Sequence, residues 1–171
     1  MADTPNLVLT GFMGTGKTAV GRAAAAVLRA DFVDTDSVIE KRHGPIPEIF
    51  AEHGEAAFRA YEAELAEELA ASSGLVISTG GGMLLAAECA ELLASTGHIF
   101  CLVATPQTIL DRVSADGIAG RPLLDTEDPE ARIAALLAER AERYGAFEQV
   151  GTDGRAVNEI VAEILDRFSG R

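Results

Sequence analysis

The sequence predicts an α/β fold, a parallel sheet with helices on both faces, and three observations carry that prediction. Short apolar runs alternate with longer helical patterns along the chain, the order that strand-helix-strand units produce. The first apolar run, Leu7-Val8-Leu9, leads into GFMGTGKT at residues 11–18. That stretch fits the phosphate-loop pattern, with Gly11, Gly16, Lys17 and Thr18 in the fixed places, a strand before it and a helix after it. The chain has 171 residues, 48 % of them hydrophobic, so it can bury a proper core and is expected to form one domain.

Residues 18–30, rich in Ala, Val and Leu and free of Pro, read as the first helix. Phe32-Val33 is a short second strand that ends at Asp34-Thr35-Asp36, and a helical stretch runs from there to Arg42. His43-Gly44-Pro45 breaks it. Residues 46–53 and 54–71 read as two helices with a sharp joint at Gly54; the second spaces Phe58, Tyr61, Leu65 and Leu69 three and four apart. Leu75-Val76-Ile77 is a third strand running into Ser78-Thr79-Gly80-Gly81-Gly82, and residues 83–95 read as one helix. Residues 98–103 form a fourth strand, with Pro106 opening the next helix to about Val113. The pattern lapses over about 115–128, where Gly117, Gly120 and Pro122 mark a mobile connection of a length that is usually functional. Residues 130–144 are helical, Gln149-Val150 is a weak fifth strand, and residues 156–168 close the chain as a helix.

A net charge of −13 argues against nucleic acid as a partner, because a polyanionic backbone would be repelled. No apolar run is long enough to span a bilayer, and MADTPN at the start lacks the basic residue of a signal peptide. A cytoplasmic protein, with no membrane partner, is expected. Cys89 and Cys101 each sit in an apolar stretch and read as small core residues; His43, His53 and His98 lack ligand spacing.

In a doubly covered parallel sheet, ligands bind beyond the carboxyl ends of the strands. That rule gathers the phosphate loop, Asp34 with Asp36, and Gly80 to Gly82 on one rim. The loop's glycines let backbone N–H groups converge on phosphate, Lys17 reaches the terminal phosphates and the Thr18 hydroxyl helps to hold Mg²⁺. Asp34 and Asp36 are two apart at a strand end, so in extended geometry they share one side. One could hold Mg²⁺ and the other accept a proton from an acceptor hydroxyl; the plain alternative is a pair of helix-capping acids. Arg59 lies among Glu55, Glu62 and Glu64, and either pairs at the surface or is oriented by Glu62. The bare backbone of Gly80, Gly81 and Gly82 suits close approach by a ligand, since a tight turn needs fewer glycines. Arg121, before Pro122, suits a lid residue that swings over the transferring phosphate, or else a solvated loop arginine.

Taken together, these residues resemble the shikimate kinases, small kinases with a P-loop NTPase-type three-layer fold like that of the nucleoside-monophosphate kinases. GFMGTGKT, FVDTD at 32–36, IPEIFAEHGEAAFRAYE at 46–62, STGGG at 78–82, GRPLL at 120–124 and the Arg140-to-Tyr144 spacing follow in the same order. The resemblance implies a five-stranded parallel sheet in the order 2-3-1-4-5, an acceptor-binding helical region at about 36–72 and a lid at about 115–128. It implies phosphorylation of shikimate by ATP with Mg²⁺, a step of chorismate and aromatic amino acid biosynthesis, by a monomer. Lys17, Asp36 and Arg121 would be catalytic, with Asp36 on the shikimate hydroxyls and Arg121 as the lid arginine. Gly14, Thr15, Gly16, Lys17, Thr18 and Ala19 would hold ATP, with Thr18 and Asp34 at the metal. Arg59, Arg140 and the residues Gly80, Gly81 and Gly82 would bind shikimate.

Two departures stand out. Glu142-Arg143 replaces the Pro-Leu common in the family, making Arg143 a second candidate anion contact beside Arg140. The nucleotide-base loop is Thr152-Asp153-Gly154-Arg155 without the common proline; Arg155 could stack on adenine, and Arg112 is a similar candidate. Two other readings remain. A sibling kinase for another small hydroxy acid such as gluconate would share the fold. A nucleotide-binding module without turnover would be expected to have lost Lys17, an Asp or Arg121, and all are present.

Overall fold

The computed structural model describes residues 4–116 and 126–170. Five strands, β1 (Asn6–Gly11), β2 (Phe32–Asp34), β3 (Val76–Ser78), β4 (Gly97–Val103) and β5 (Glu148–Gly151), form one sheet in the order β2-β3-β1-β4-β5. Every neighbouring pair is parallel, with Leu7 opposite Val76 on one side and His98 on the other. The expected strand order and doubly covered sheet are both present.

Side-chain alternation along β1 explains the two covered faces. Leu7 and Leu9 point to a cluster made with Val20 and Ala24 of α1 (Lys17–Leu28) and Ile160 and Ile164 of α7 (Val157–Ser169). Val8 points the other way, onto Ile39 of α2 (Thr35–His43), Phe58 and Leu65 of α3 (Ile46–Ala70), and Leu93 of α4 (Ala87–Thr96). Cys101 starts a third cluster with Ile109 of α5 (Pro106–Asp116) and Ile133 and Tyr144 of α6 (Pro129–Gly145). Both cysteines are buried thiols, as their apolar context suggested.

The joint expected at Gly54 is a kink inside α3, where Gly54 has φ 78° and ψ 171°. The single helix expected over 83–95 is instead a 3₁₀ turn, Met83–Leu85, followed by extended Ala86 and then α4. Three consecutive apolar residues force that break. Met83 and Leu84 are buried in one cluster while Leu85 packs on another, which one α-helical face cannot arrange. The weak fifth strand holds because β4 pairs with it; Val150 is its one fully buried residue.

Candidate functional site

The phosphate loop joins β1 to α1 through three glycines with positive φ: 132° at Gly11, 74° at Gly14 and 98° at Gly16. A Cβ at Gly11 would also lie 2.3 Å from the Leu102 carbonyl oxygen, a clash with fixed backbone. Buried Thr15 closes the loop by donating its hydroxyl to the Phe12 carbonyl at 2.7 Å. Lys17, half-buried at the start of α1, donates Nζ to the carbonyls of Gly11 at 2.8 Å and Phe12 at 2.9 Å. Burial pulls its ammonium down to about 8, against the nearby carboxylates of Asp36 and Asp34.

Thr18 donates its hydroxyl to Asp34 Oδ2 at 2.9 Å, and Asp34 Oδ1 accepts the Ser37 N–H at 3.1 Å. Asp34 is therefore the helix cap of α2 and, at the same time, the partner of the loop threonine. Among the described residues no group of three or more His, Cys, Asp or Glu could hold a metal. A Thr–Asp pair fits Mg²⁺, which is held by one or two protein oxygens and completed by phosphate and water. Ala19 is exposed beside them on α1.

The expected extended geometry of Asp34 and Asp36 is not what the chain adopts. Capping by Asp34 starts α2 at Thr35, so Asp36 sits in its first helical turn. Both carboxylates nevertheless line one cleft of about 460 Å³ with Gly14, Gly16, Lys17, Thr18, Ala19 and Gly81. The Asp36 carboxyl is raised above the usual aspartate range, first by burial and then by Asp34; Lys17 and Arg59 oppose the shift. A cleft of similar size at the other end of the sheet, lined by Thr4, Ser72, Thr96 and His98 among others, contains no carboxylate, lysine or arginine.

Arg59 projects from α3 toward the turn after β3. Its Nη1 donates to Glu62 Oε2 at 2.6 Å, while Nε and Nη2 donate to Glu55 Oε1 at 3.3 and 3.0 Å. Glu62 is 2 % exposed; burial raises its carboxyl and the bond from Arg59 lowers it. Glu62 thus orients the guanidinium, one of the two options the sequence left open. Arg140 of α6 reaches the same turn at Gly81, and its guanidinium carbon lies 5.2 Å from the centre of the Phe12 ring in the phosphate loop. Arg143 is exposed on α6, whereas Arg140 shares a face with Tyr144, one turn on.

Two anchoring residues escaped sequence reasoning. Thr35 accepts the Gly80 N–H on its hydroxyl at 2.8 Å, and Tyr144 donates its hydroxyl to the Gly81 carbonyl at 2.7 Å. Both lay inside quoted motifs, but nothing in one sequence says which distant backbone group a hydroxyl meets. Of the nucleotide candidates, Arg112 ties the phosphate loop to the end of β5. It donates to the Gly14 carbonyl at 3.2 Å, the Thr152 hydroxyl at 3.0 Å and the Thr152 carbonyl at 2.8 Å. Arg155 is bonded to the Gly151 carbonyl and paired with Glu163 of α7 at 2.6 Å. Arg121 and most of the expected lid lie outside the described residues.

The family profile described as shikimate kinase matches residues 13–169. This chain belongs to the shikimate kinase family. Within the family it is 44 % identical to a shikimate kinase of Symbiobacterium thermophilum over 169 residues, covering 97 % of each chain. It is also 44 % identical to one of Thermus thermophilus, covering 95 % of this chain and 89 % of that one. The structure of a shikimate kinase from Acinetobacter baumannii in complex with shikimate matches with a TM-score of 0.90 at 35 % identity, over 98 % of this chain and 94 % of that one. A gluconokinase from Sinorhizobium meliloti matches with a TM-score of 0.65 at 19 % identity, which shows a shared fold alone. The protein is thus a P-loop kinase with ATP as its co-substrate. Among its described residues no helix is long and apolar enough to cross a membrane.

Proposed function

We propose that the protein transfers the γ-phosphoryl group of ATP to a hydroxyl of shikimate, giving shikimate 3-phosphate and ADP. The observation that carries this reading is the pairing of ends across one cleft. Lys17 and Thr18 of the phosphate loop line it together with Asp36 and Gly81. Arg59 and Arg140 both meet the turn that holds Gly81 and Gly82. The acceptor's carboxylate binds the planar guanidinium forks of Arg59 and Arg140. Its hydroxyl faces Asp36, which orients it and accepts its proton as the new oxygen–phosphorus bond forms and the bond to ADP breaks. Lys17 neutralises charge on the transferring group, and Arg121 is proposed to join it from the lid. Thr18 and Asp34 are the residues that would hold Mg²⁺, whose chemistry is charge neutralisation on the phosphates. The transition state is loose, so positioning and neutralisation matter more than a strong base.

A coupled ADP-release assay with Mg²⁺-ATP tests the reading against shikimate, quinate, gluconate and a nucleoside monophosphate. Release that depends on shikimate is the expected result. Response to gluconate alone would overturn the choice of acceptor, and ATP binding without acceptor-dependent release would make the protein a non-catalytic nucleotide-binding module.

A further inference from the structure

The turn after β3 holds three consecutive glycines, and their backbone angles do not require glycine. None of the three has a positive φ, and Gly82 sits at φ −102°, ψ −16°. Their reason is space. A Cβ at Gly80 would lie 2.4 Å from Asp36 Oδ1, and its three nearest atoms all belong to the Asp36 carboxylate. A Cβ at Gly82 would lie 2.6 Å from Arg59 Nη1 and 2.9 Å from Nη2. At Gly81 the nearest atoms are the Gly11 carbonyl oxygen at 3.5 Å, the Met13 backbone nitrogen at 3.8 Å and Arg140 Nη1 at 3.9 Å, ordinary contact. Two of the glycines therefore each mark the place of a different side chain of the acceptor pocket.

Two hydrogen bonds tether the turn against retreat from an added methyl group. Thr35, the neighbour of Asp36, holds the Gly80 N–H, and Tyr144 holds the Gly81 carbonyl. The atoms in the way at Gly80 and Gly82 are side-chain ends, unlike the backbone oxygen that a Cβ at Gly11 would strike. The chain can thus fold around alanine at either position, but only by moving the carboxylate or the guanidinium. We propose that Gly80 and Gly82 are positioning residues: the missing side chain of Gly80 seats Asp36, and that of Gly82 seats Arg59 on Glu62. For Gly80 and Gly82 this differs from the expectation that the bare backbone serves close approach by a ligand, an expectation kept for Gly81. It rests on the roles given above to Asp36 and Arg59.

A double-mutant cycle tests it. Gly82→Ala is expected to raise the KM for shikimate about tenfold while kcat changes less than about twofold; Gly80→Ala is expected to lower kcat about tenfold. In an Arg59→Ala background, adding Gly82→Ala should change KM less than about twofold, because the side chain it displaces is gone. Arg59→Met, which keeps an apolar stem, is the second background should Arg59→Ala not melt cooperatively. Equal factors in both backgrounds would overturn the proposal, since the glycine would then act on the ligand itself. The crystal structure of Gly82→Ala is a readout independent of turnover. Arg59 displaced from Glu62 supports the proposal; Arg59 still on Glu62 overturns it. An unchanged KM in Arg59→Ala, with Arg59 displaced in the Gly82→Ala crystal, would instead overturn the carboxylate assignment and leave the packing relation standing.

Discussion

The phosphate loop and the proposed acceptor pocket meet at one cleft, yet they are built by different means. The loop is eight consecutive residues whose glycines bend the backbone so that its own N–H groups can converge on phosphate. The proposed acceptor pocket is made of side chains from α2, α3 and α6 that meet at the turn after β3. Backbone cradles are fixed by local conformation; side-chain pockets are fixed by packing and by neighbours. The loop should therefore fail through charge or backbone, and the pocket through geometry.

The largest expected effect lies at the loop. Lys17→Met should lower kcat by roughly a thousandfold, the scale of losing a preorganised group at developing charge. It should not lower the melting midpoint. The folded-state ammonium, at about 8, lies below its ordinary 10.5, so the folded chain holds fewer protons than the unfolded one between those values. That contribution to stability grows as pH rises through the window, which makes the buried charge a cost below it. A large drop in the thermal midpoint of Lys17→Met would erase the contrast between a charge-bearing loop and a packed pocket.

At the pocket, Arg59→Ala should raise the KM for shikimate by roughly 30- to 100-fold, about 2–3 kcal/mol, and kcat should fall far less. Steady-state kinetics with shikimate varied at saturating ATP reads this directly; an unchanged KM would sink the carboxylate assignment.

The two ends should also separate by pH. The raised Asp36 carboxyl must be ionised to accept a proton, so kcat/KM for shikimate should fall about tenfold per unit as pH drops through its displaced value. Asp36→Asn should abolish that limb. For ATP the limb is alkaline: kcat/KM should fall above about pH 8 as Lys17 loses its proton, and kcat at saturating ATP should fall less because the polyphosphate holds the proton on. Identical profiles for the two substrates would mean that one group governs both ends.

The smallest effect concerns Glu55, the exposed acid on Arg59 opposite the buried Glu62. An acceptor carboxylate must compete with it for the guanidinium. Glu55→Gln should lower the KM for shikimate about two- to threefold, in keeping with the modest worth of an exposed ion pair. A raised KM would show that Glu55 helps to aim Arg59 rather than occupying it.

How much of this was legible in the sequence follows the same division. The phosphate loop could be read residue by residue, because a contiguous motif carries its own conformation. Glu62 as the partner of Arg59 was legible too, since three residues on a helix set neighbours. The pairing of Asp34 and Asp36 was expected for the wrong reason. Extended spacing predicted a shared side, whereas the cap made by Asp34 winds Asp36 into a helix and still brings both to the cleft. Thr35 and Tyr144 were not legible as anchors, because their partners lie at residues 80 and 81, far along the chain. Nor was the split after the glycine turn, which depends on which cluster each of Met83, Leu84 and Leu85 enters.

By itself, then, the sequence determined the α/β pattern, the phosphate loop and the set of residues at the strand ends, because periodicity and contiguous motifs are local. The tertiary structure decided which groups surround the triple glycine. GGG in a sequence says only that three side chains are missing. Whether the room is taken by a ligand or by the chain's own groups depends on what the fold brings there, and here it brings Asp36 to Gly80 and Arg59 to Gly82.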